Sequence, residues 1–441
     1  MKILIIDQDC DLFLAFALQC IDAGHTVRVA TGPNDKRPHV GRGLVTKVPD
    51  WKPHMKWADL IFVTVNGKYM YHLDQYHKEG YPIFGCNMIA SDWENKRSLG
   101  DSIFRKAGLK TIPTIPFDNY DDAIAFVKDN PRRRFASKPD GDSADKSLSY
   151  CAKNAADLTY MLEKWKKKNK LKEGFILQEF KDGIEMAVGG YFGPNGFSKY
   201  FLENWEFKKL MNDDLGVATG EQGTILRYVK DSKLAEKVLL PLEDMLHGIN
   251  YTGYCDVNCI ITPDGTPWPL EFTNRPGWPL NQIELALRRG DPAEWMVDLM
   301  EGKDTLQVKE NKIACGVVLS IPDYPYSKAP IEDLEGFPIY GVERDNLKNV
   351  HLSEVMWGKA PAMDNGDVVE RELFVTAGNY VLTVSGVGDT VEAAREKAYG
   401  ELDKISVPNS PSWRTDIGKK LEKKLPELHK MGYGLGAEYD E

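Results

Sequence analysis

Between Tyr251 and Pro279 the chain reads YTGYCDVNCIITPDGTPWPLEFTNRPGWP. Two apolar-rich runs flank Asp264-Gly265, a dipeptide that favours a two-residue hairpin turn. Such a turn sets Asn258 opposite Glu271 and Asp256 opposite Thr273. Side chains alternate along a strand, so all four are expected on one face. Opposed side chains would lie roughly 5 Å apart at Cβ, close enough to share a cation. A carboxylate beside neutral oxygen ligands suits Mg²⁺ that also holds phosphates. Asn258 and Glu271 are therefore candidate metal ligands, and an exposed-face pair is the plainer alternative.

The chain has 441 residues, too many for one core, so two or three domains are expected. Its 42% hydrophobic and 28% charged content is that of a globular protein. A net charge of -10 and a pI near 5.5 argue against a general nucleic-acid binder. They leave room for a local cluster that holds a small phosphorylated ligand. No apolar run approaches ~18 residues, so no membrane span is expected. MKILIID predicts a strand followed by an acid, not a signal peptide. The seven cysteines form no CxxC pairs, which predicts packing thiols in a reducing cytoplasm.

Three regions are expected: 1–102, 103–309 and 310–441. The first alternates strands (Lys2–Ile6, Thr26–Ala30, Leu60–Val65, Pro82–Cys86) with helical stretches such as Asp11–Ala23. That predicts a parallel sheet with covering helices and a ligand at the strands' carboxyl ends. The loop after the first strand, Asp7-Gln8-Asp9-Cys10-Asp11, has three acids and no glycine, so it is a poor phosphate cradle. The second region contains helices at Asp121–Lys128 and Ala155–Lys168 and the hairpin. The basic runs Arg132–Arg134 and Lys164–Lys172 read as solvated faces. The third region is β-rich, with strands at Ala314–Ile321, Arg371–Thr376 and Tyr380–Val384. A capping box at Asp389–Glu392 is expected to open a helix. The charged tail from Trp413 predicts a surface helix that then frays.

Three further stretches could carry chemistry. Phe135–Pro139 predicts a strand that presents Lys138 to a small polar loop, DGDSADKS, containing Lys146. Two lysines around such a loop can neutralise a polyphosphate, although an ordinary surface loop would look the same. Phe175–Phe180 is an apolar strand ending in Gln178-Glu179-Phe180, followed by Asp182-Gly183-Ile184-Glu185. Polar groups at a strand end suit an adenine and a ribose; a solvated strand end is the alternative. In Leu215–Arg227 (LGVATGEQGTILR), glycines could free backbone N–H groups for an anion or simply loosen a loop.

The order of these segments resembles the ATP-grasp ligases, and more narrowly glycinamide ribonucleotide synthetase (the phosphoribosylamine–glycine ligase family), over nearly the whole chain. KPDGDSADKS is similar to the family's Lys-Ala-Asp-Gly-Leu-Ala-Ala-Gly-Lys-Gly. QEFKDGIE is similar to its Glu-Glu-Phe-x-x-Gly-Glu-Glu, and GVATGEQGT to its Gly-Pro-Asn-Thr-Gly-Gly-Met-Gly. VTAGNYVLTVSGVGDTVEAAREKAY resembles its carboxyl-terminal domain. The resemblance implies an α/β and α+β multidomain protein. It would have a Rossmann-like domain (1–102), an ATP-grasp domain (103–309) and a β-rich domain with a terminal helix (310–441).

It also implies ATP and Mg²⁺ (or Mn²⁺) as cofactors, phosphorylation of a carboxylate, and attack of an amine on the acyl phosphate. ADP and phosphate would be released. Lys138 would contact the α/β-phosphates and Lys146 would lie in the phosphate-covering loop. Gln178, Glu179 and Phe180 would line the adenine pocket and Glu185 would hold the ribose. Glu271 and Asn258 would bind metal, and Arg275 would steady the transferring phosphoryl group. The implied partners are a small carboxylate and a small amine, with neither nucleic acid nor membrane. The chain would be a cytoplasmic monomer or homodimer in purine biosynthesis.

Three departures from the pattern bear on the acceptor. The family's Gly-Asn-Gly-Gly-Arg-Glu-His is DQDCDLF here, and acids repel a phosphate. Its Glu-x-Asn-x-Arg becomes Glu271-Phe272-Thr273-Asn274-Arg275. Thr273 is a weaker ligand, and Asn274 could replace it only if a bulge turned it to the metal face. Two acids near the small amino-acid substrate are replaced by a segment containing Trp278. The same ligase chemistry on another amino acid or a modified nucleotide is therefore an alternative, as is a non-catalytic ATP-binding regulator. A dinucleotide oxidoreductase lacks its GxGxxG.

Overall fold

The computed structural model describes residues 1–7, 12–32, 35–67, 70–139, 149–168, 174–326 and 328–439. Four short β-runs of Val, Ile and Leu at the amino end, joined by Thr46–Val48, form a parallel five-stranded sheet. Its order is Thr46–Val48, Thr26–Ala30, Lys2–Ile6, Leu60–Val63, Ile83–Gly85. Lys2–Ile6 lies at its centre with Ile3 to Ile6 buried. The helix Phe13–Asp22 covers it and ends where Gly24 adopts φ +88°, as its C′ role requires.

A four-stranded antiparallel sheet follows, ordered Thr114–Phe117, Phe175–Glu179, Phe135–Pro139, Tyr150–Cys151. The helices Tyr120–Asp129 and Ala155–Lys167 pack on it, each opened by an asparagine cap, Asn119 and Asn154. This unit has a core of its own, built from Ile124, Phe135, Leu158, Leu162, Trp165 and Phe175 among others.

The largest sheet has eight antiparallel strands, in the order Pro267–Thr273, Gly253–Ile261, Ile184–Gly193, Gly196–Glu206, Gly223–Val229, Ile313–Ser320, Tyr380–Gly388, Val350–Leu352. Strands from both sides of position 310 thus share one sheet. Its core is continuous with that of the parallel sheet. Five of the six described cysteines are buried and Cys151 is exposed.

The hairpin has the expected register by an unexpected route. Thr262 donates its N–H to Thr266, which makes a three-residue loop with Gly265 at φ +76°. That loop alone would shift every pair by one. A bulge restores the register: Asn258 faces Glu271, but the next pair is Cys259 with Pro269, leaving Leu270 extra. Asp256 faces Thr273 and Asn258 faces Glu271, as expected.

Other local expectations need correction. Leu215–Arg227 is not one loop. Leu215–Ala218 pairs with Lys209–Met211, and Gly223–Val229 is a central strand. The capping box at Asp389–Glu392 reduces to one cap: Thr390 accepts from Ala393 N–H, so Glu392 falls one position short of closing a box. The tail does not fray within the described residues. Leu421, Leu425 and Leu428 form one buried stripe of Lys419–Lys430. Tyr433 is buried and donates to the Gly265 carbonyl at 2.8 Å, tying the tail to the hairpin turn. Among the described residues no helix is long and apolar enough to cross a membrane.

Candidate active site

Strand alternation collects a polar face on the large sheet. Asn258, Ala187 and Asn204 are successive neighbours across three strands. Glu185, Glu206 and Asp256 lie two residues from a member of that row, Glu271 lies opposite Asn258 and Thr273 opposite Asp256, so all five share its face. Lys208 follows Glu206 by two and its ammonium reaches into the group. It lies 2.9 Å from Glu185, 2.7 Å from Glu206 and 4.0 Å from Glu271. The Asn258 amide donates to Glu185 at 2.9 Å and to Glu206 at 3.1 Å.

Glu271 is held from three sides. Arg97, the first residue of the helix Arg97–Lys106, donates to its Oε2 at 2.8 Å. Burial alone would push the carboxyl up, but Arg97, Lys208 and Lys138 together hold it far below the usual carboxylate range. Lys138 reaches the same cleft from the four-stranded sheet. Its own pKa is pushed down to about 8 by burial, against the pull of Glu271. Deeper in, Asp256 accepts from Asn204 and Tyr254, both at 3.0 Å. Burial, with Glu206 nearby, pushes its pKa up to about 7. Burial raises Glu221 well above its usual value too, and Glu206 adds to that.

The residues expected around an adenine lie at the end of the smaller sheet. Gln178 is buried on the strand Phe175–Glu179. Glu179 is paired with Arg133 at 3.1 Å and Lys181 at 3.4 Å. The Arg134 guanidinium stacks on the Phe180 ring at 3.8 Å. Glu185, expected on a ribose, is engaged by Lys208 and Asn258. Lys146 and the rest of the 140–148 loop lie outside the described residues.

Asn274 is bonded through its donors, and its Oδ1, like that of Asn258, is buried without a hydrogen-bond partner. Its amide donates to the Ala90 carbonyl at 2.8 Å and its N–H to Glu94 at 2.7 Å, committing it to the helix Met88–Asn95. The bulge that might have turned it lies earlier, at Leu270. Arg275 points to Glu94, with Nε 3.4 Å from the carboxylate. The glycines of GVATGEQGT answer to packing. A Cβ on Gly220 would come within 2.4 Å of the Trp278 indole, and one on Gly223 within 2.4 Å of the Gly316 carbonyl. Trp278 itself stacks on Tyr380 with centroids 3.7 Å apart.

At the parallel sheet, Asp7 is buried and accepts the Leu12 N–H at 3.2 Å. A carboxylate thus sits where the first helix begins. The other two acids of that loop lie outside the described residues.

Residues 314–420 match the family model described as "Phosphoribosylglycinamide synthetase, C domain". The chain is 26% identical over 368 residues to a phosphoribosylamine–glycine ligase of Lactococcus lactis, covering 79% of this chain and 80% of that protein. The crystal structure of a phosphoribosylamine–glycine ligase from Thermotoga maritima superposes with a TM-score of 0.70 at 20% identity, covering 95% of this chain and 100% of that one. The biotin carboxylase domain of a Hydrogenobacter thermophilus 2-oxoglutarate carboxylase, solved with MgADP, ADP and bicarbonate, gives a TM-score of 0.61 at 11% identity, covering 100% and 99%.

The chain has an ATP-grasp fold. It resembles the phosphoribosylamine–glycine ligases in sequence along most of its length.

The four-stranded and eight-stranded sheets have separate cores, and Lys138 of the first lies near Glu271 of the second. Among the described residues no three His, Cys, Asp or Glu side chains are grouped so that they could hold a metal ion by themselves. Asn258 Oδ1 is nonetheless buried without a hydrogen-bond partner, beside the Glu271 carboxylate across the hairpin. Two hard oxygens of this kind fit Mg²⁺, which takes most of its remaining ligands from phosphates and water. The residues present therefore fit the ion.

Sequence reading missed Arg97, Glu94, Glu206 and Lys208. The last two had a signal. Asn204, Glu206 and Lys208 alternate in ENWEFK, so they share one face. Nothing local marks Arg97 or Glu94; both act on a hairpin far along the chain.

Proposed function

We propose that this ATP-grasp protein is an ATP-dependent carboxylate–amine ligase of the phosphoribosylamine–glycine ligase type. The observation that supports it most is convergence. Lys138 from one sheet and Asn258 and Glu271 from another meet across a cleft between two cores. ATP phosphorylates the substrate carboxylate, and the amine displaces phosphate from the acyl phosphate. No protein nucleophile is required; alignment and charge neutralisation do the catalysis.

Lys138 neutralises phosphate charge, and Lys146 takes the covering-loop role by resemblance. Gln178, Glu179 and Phe180 border the adenine. Glu185 stands between the ribose side and the metal side. Asn258 and Glu271 would hold the magnesium ion, which supplies charge neutralisation at the phosphates. By resemblance Arg275, which is paired with Glu94 in the nucleotide-free chain, would steady the transferring phosphoryl group. The regions 1–102, 103–309 and 310–441 would supply the Rossmann-like, ATP-grasp and β-rich parts, with strands from both sides of position 310 joined in one sheet. The protein works in the cytoplasm on small molecules in purine biosynthesis, as a monomer or homodimer.

Release of ADP and phosphate tests this. ATP and Mg²⁺ are supplied with glycine and phosphoribosylamine, and separately with panels of other amino acids and amines. Release that requires glycine plus phosphoribosylamine is expected. Asp7 at the helix start and Trp278 near the acceptor side favour a different amine or acid as the second reading. Release only with such a pair would keep the chemistry and change the acceptor. ATP binding without release on any pair would overturn the ligase reading.

A further inference from the structure

Lys208 is the most heavily committed cation in the cleft. Its ammonium is within 3 Å of two carboxylates, Glu185 and Glu206, and 4.0 Å from a third, Glu271. The Asn258 amide bridges the first two, which leaves its buried Oδ1 without a partner. The strand extension is fixed in place, since the Lys208 carbonyl accepts both the N–H and the hydroxyl of Thr219 at 2.8 Å. Lys208 is therefore held, not swinging from a loose loop.

Three carboxylates, Glu185, Glu206 and Glu271, face three cations, Lys208, Arg97 and Lys138. The two further acids of the cluster, Asp256 and Glu221, are pushed by burial toward their protonated forms, so they add little to that set. A divalent cation added to this set leaves an uncompensated charge in a half-buried cleft, where charges are poorly screened. The same ion arriving with a polyphosphate brings its own counter-charge.

We infer that Lys208 is a built-in counter-ion that occupies the cation position of the carboxylate cluster in the nucleotide-free protein, so that a divalent cation enters only with the phosphates. The inference rests on the nucleotide-dependent reading of this cleft. It assigns Lys208 as a positioning residue that keeps Glu185, Glu206 and Glu271 gathered and keeps the metal out until ATP is present.

The test is Mn²⁺ binding to the nucleotide-free full chain, read from the free-ion signal by electron paramagnetic resonance. Wild type should bind Mn²⁺ weakly without nucleotide. Lys208→Met should bind it at least about tenfold more tightly, and Lys208→Arg, which keeps the charge, should bind like wild type. Unchanged affinity in a Lys208→Met protein with wild-type circular dichroism and thermal transition would overturn the inference. Where Lys208→Met does not fold, the wild-type chain answers through reductive methylation. Saturating Mn²⁺ should displace the ammonium and raise labelling of Lys208 several-fold by mass spectrometry, and unchanged labelling overturns the inference. Tighter Mn²⁺ binding by Lys208→Met in a chain that binds no ATP would leave the counter-ion in place and remove the ligase reading. ATP binding with unchanged Mn²⁺ affinity would do the reverse.

Discussion

The guanidinium of Arg97 donates to the carboxylate of Glu271 at 2.8 Å, across 174 residues of sequence. One residue starts a helix that packs on the edge strand of the large sheet, and the other sits on that strand. The pair ties helix to strand at the position proposed for the metal. Glu271 is kept ionised there while remaining only about one-third exposed.

The pair should behave as one unit. Arg97→Ala and Glu271→Gln should each destabilise the fold, and the double variant should lose less than the two losses added. Partial exposure limits the coupling to roughly 0.5–1.5 kcal/mol, measured by denaturant unfolding. Additive losses would show that the contact carries no energy. In turnover, Glu271→Gln should lower Mg²⁺-dependent kcat by about 10²-fold or more; full activity would remove Glu271 from the metal position.

Lys138 should set the alkaline limb of the pH profile. Burial pushes its pKa down to about 8, so the ammonium is charged below that pH and lost above it. A phosphate contact needs the charged form. The kcat/KM for ATP should therefore fall as pH rises through about 8, and Lys138→Ala should raise the KM for ATP or lower kcat and flatten that limb. A limb that persists in the variant would point to another group.

Asp256 should make the fold less stable at alkaline pH. Its pKa is pushed up from 3.8 to about 7 in the folded protein, chiefly by burial. Between those values the folded state holds a proton that the unfolded state has released. Stability contributed by this group thus falls as pH rises through that window, by up to about 1.4 kcal/mol per pH unit. Asp256→Asn should raise Tm at pH 8 more than at pH 5. An equal change at both would show that the carboxyl does not titrate in this window.

Gly220 should be intolerant of a methyl group. Its added Cβ meets the Trp278 ring at 2.4 Å, and that ring is backed by Tyr380. Gly220→Ala should cost about 1–3 kcal/mol by overpacking. Adding Trp278→Leu should recover part of that loss in thermal unfolding. Loss without recovery would place the strain elsewhere than at the indole.

Much of this architecture is legible locally. The strands Lys2–Ile6 and Thr26–Ala30 follow from β-branched runs, and the helix ending at Gly24 from a residue able to take positive φ. The pairing of Asn258 with Glu271 was readable although the turn is one residue longer than the dipeptide suggests. The bulge at Leu270 cancels that extra residue, and no dipeptide rule reveals it. The tail helix misled because its lysines dominate the composition, whereas the three leucines at helical spacing decide where it lies. For Asn274 a ligand motif gives the order of residues but not which neighbour its amide finds. Here that neighbour is the Ala90 carbonyl.

The sequence by itself determined the elements, the hairpin register and the carriers of charge on one strand face, because periodicity of two and turn chemistry act over a few residues. Only the tertiary structure decided how those charges are used. Arg97, Glu94, Lys138 and Lys208 reach the hairpin from distant segments, and Coulomb interactions depend on distance in space, not along the chain. The same cause turned a hairpin with two candidate ligands into a cluster of carboxylates with Lys208 at its centre.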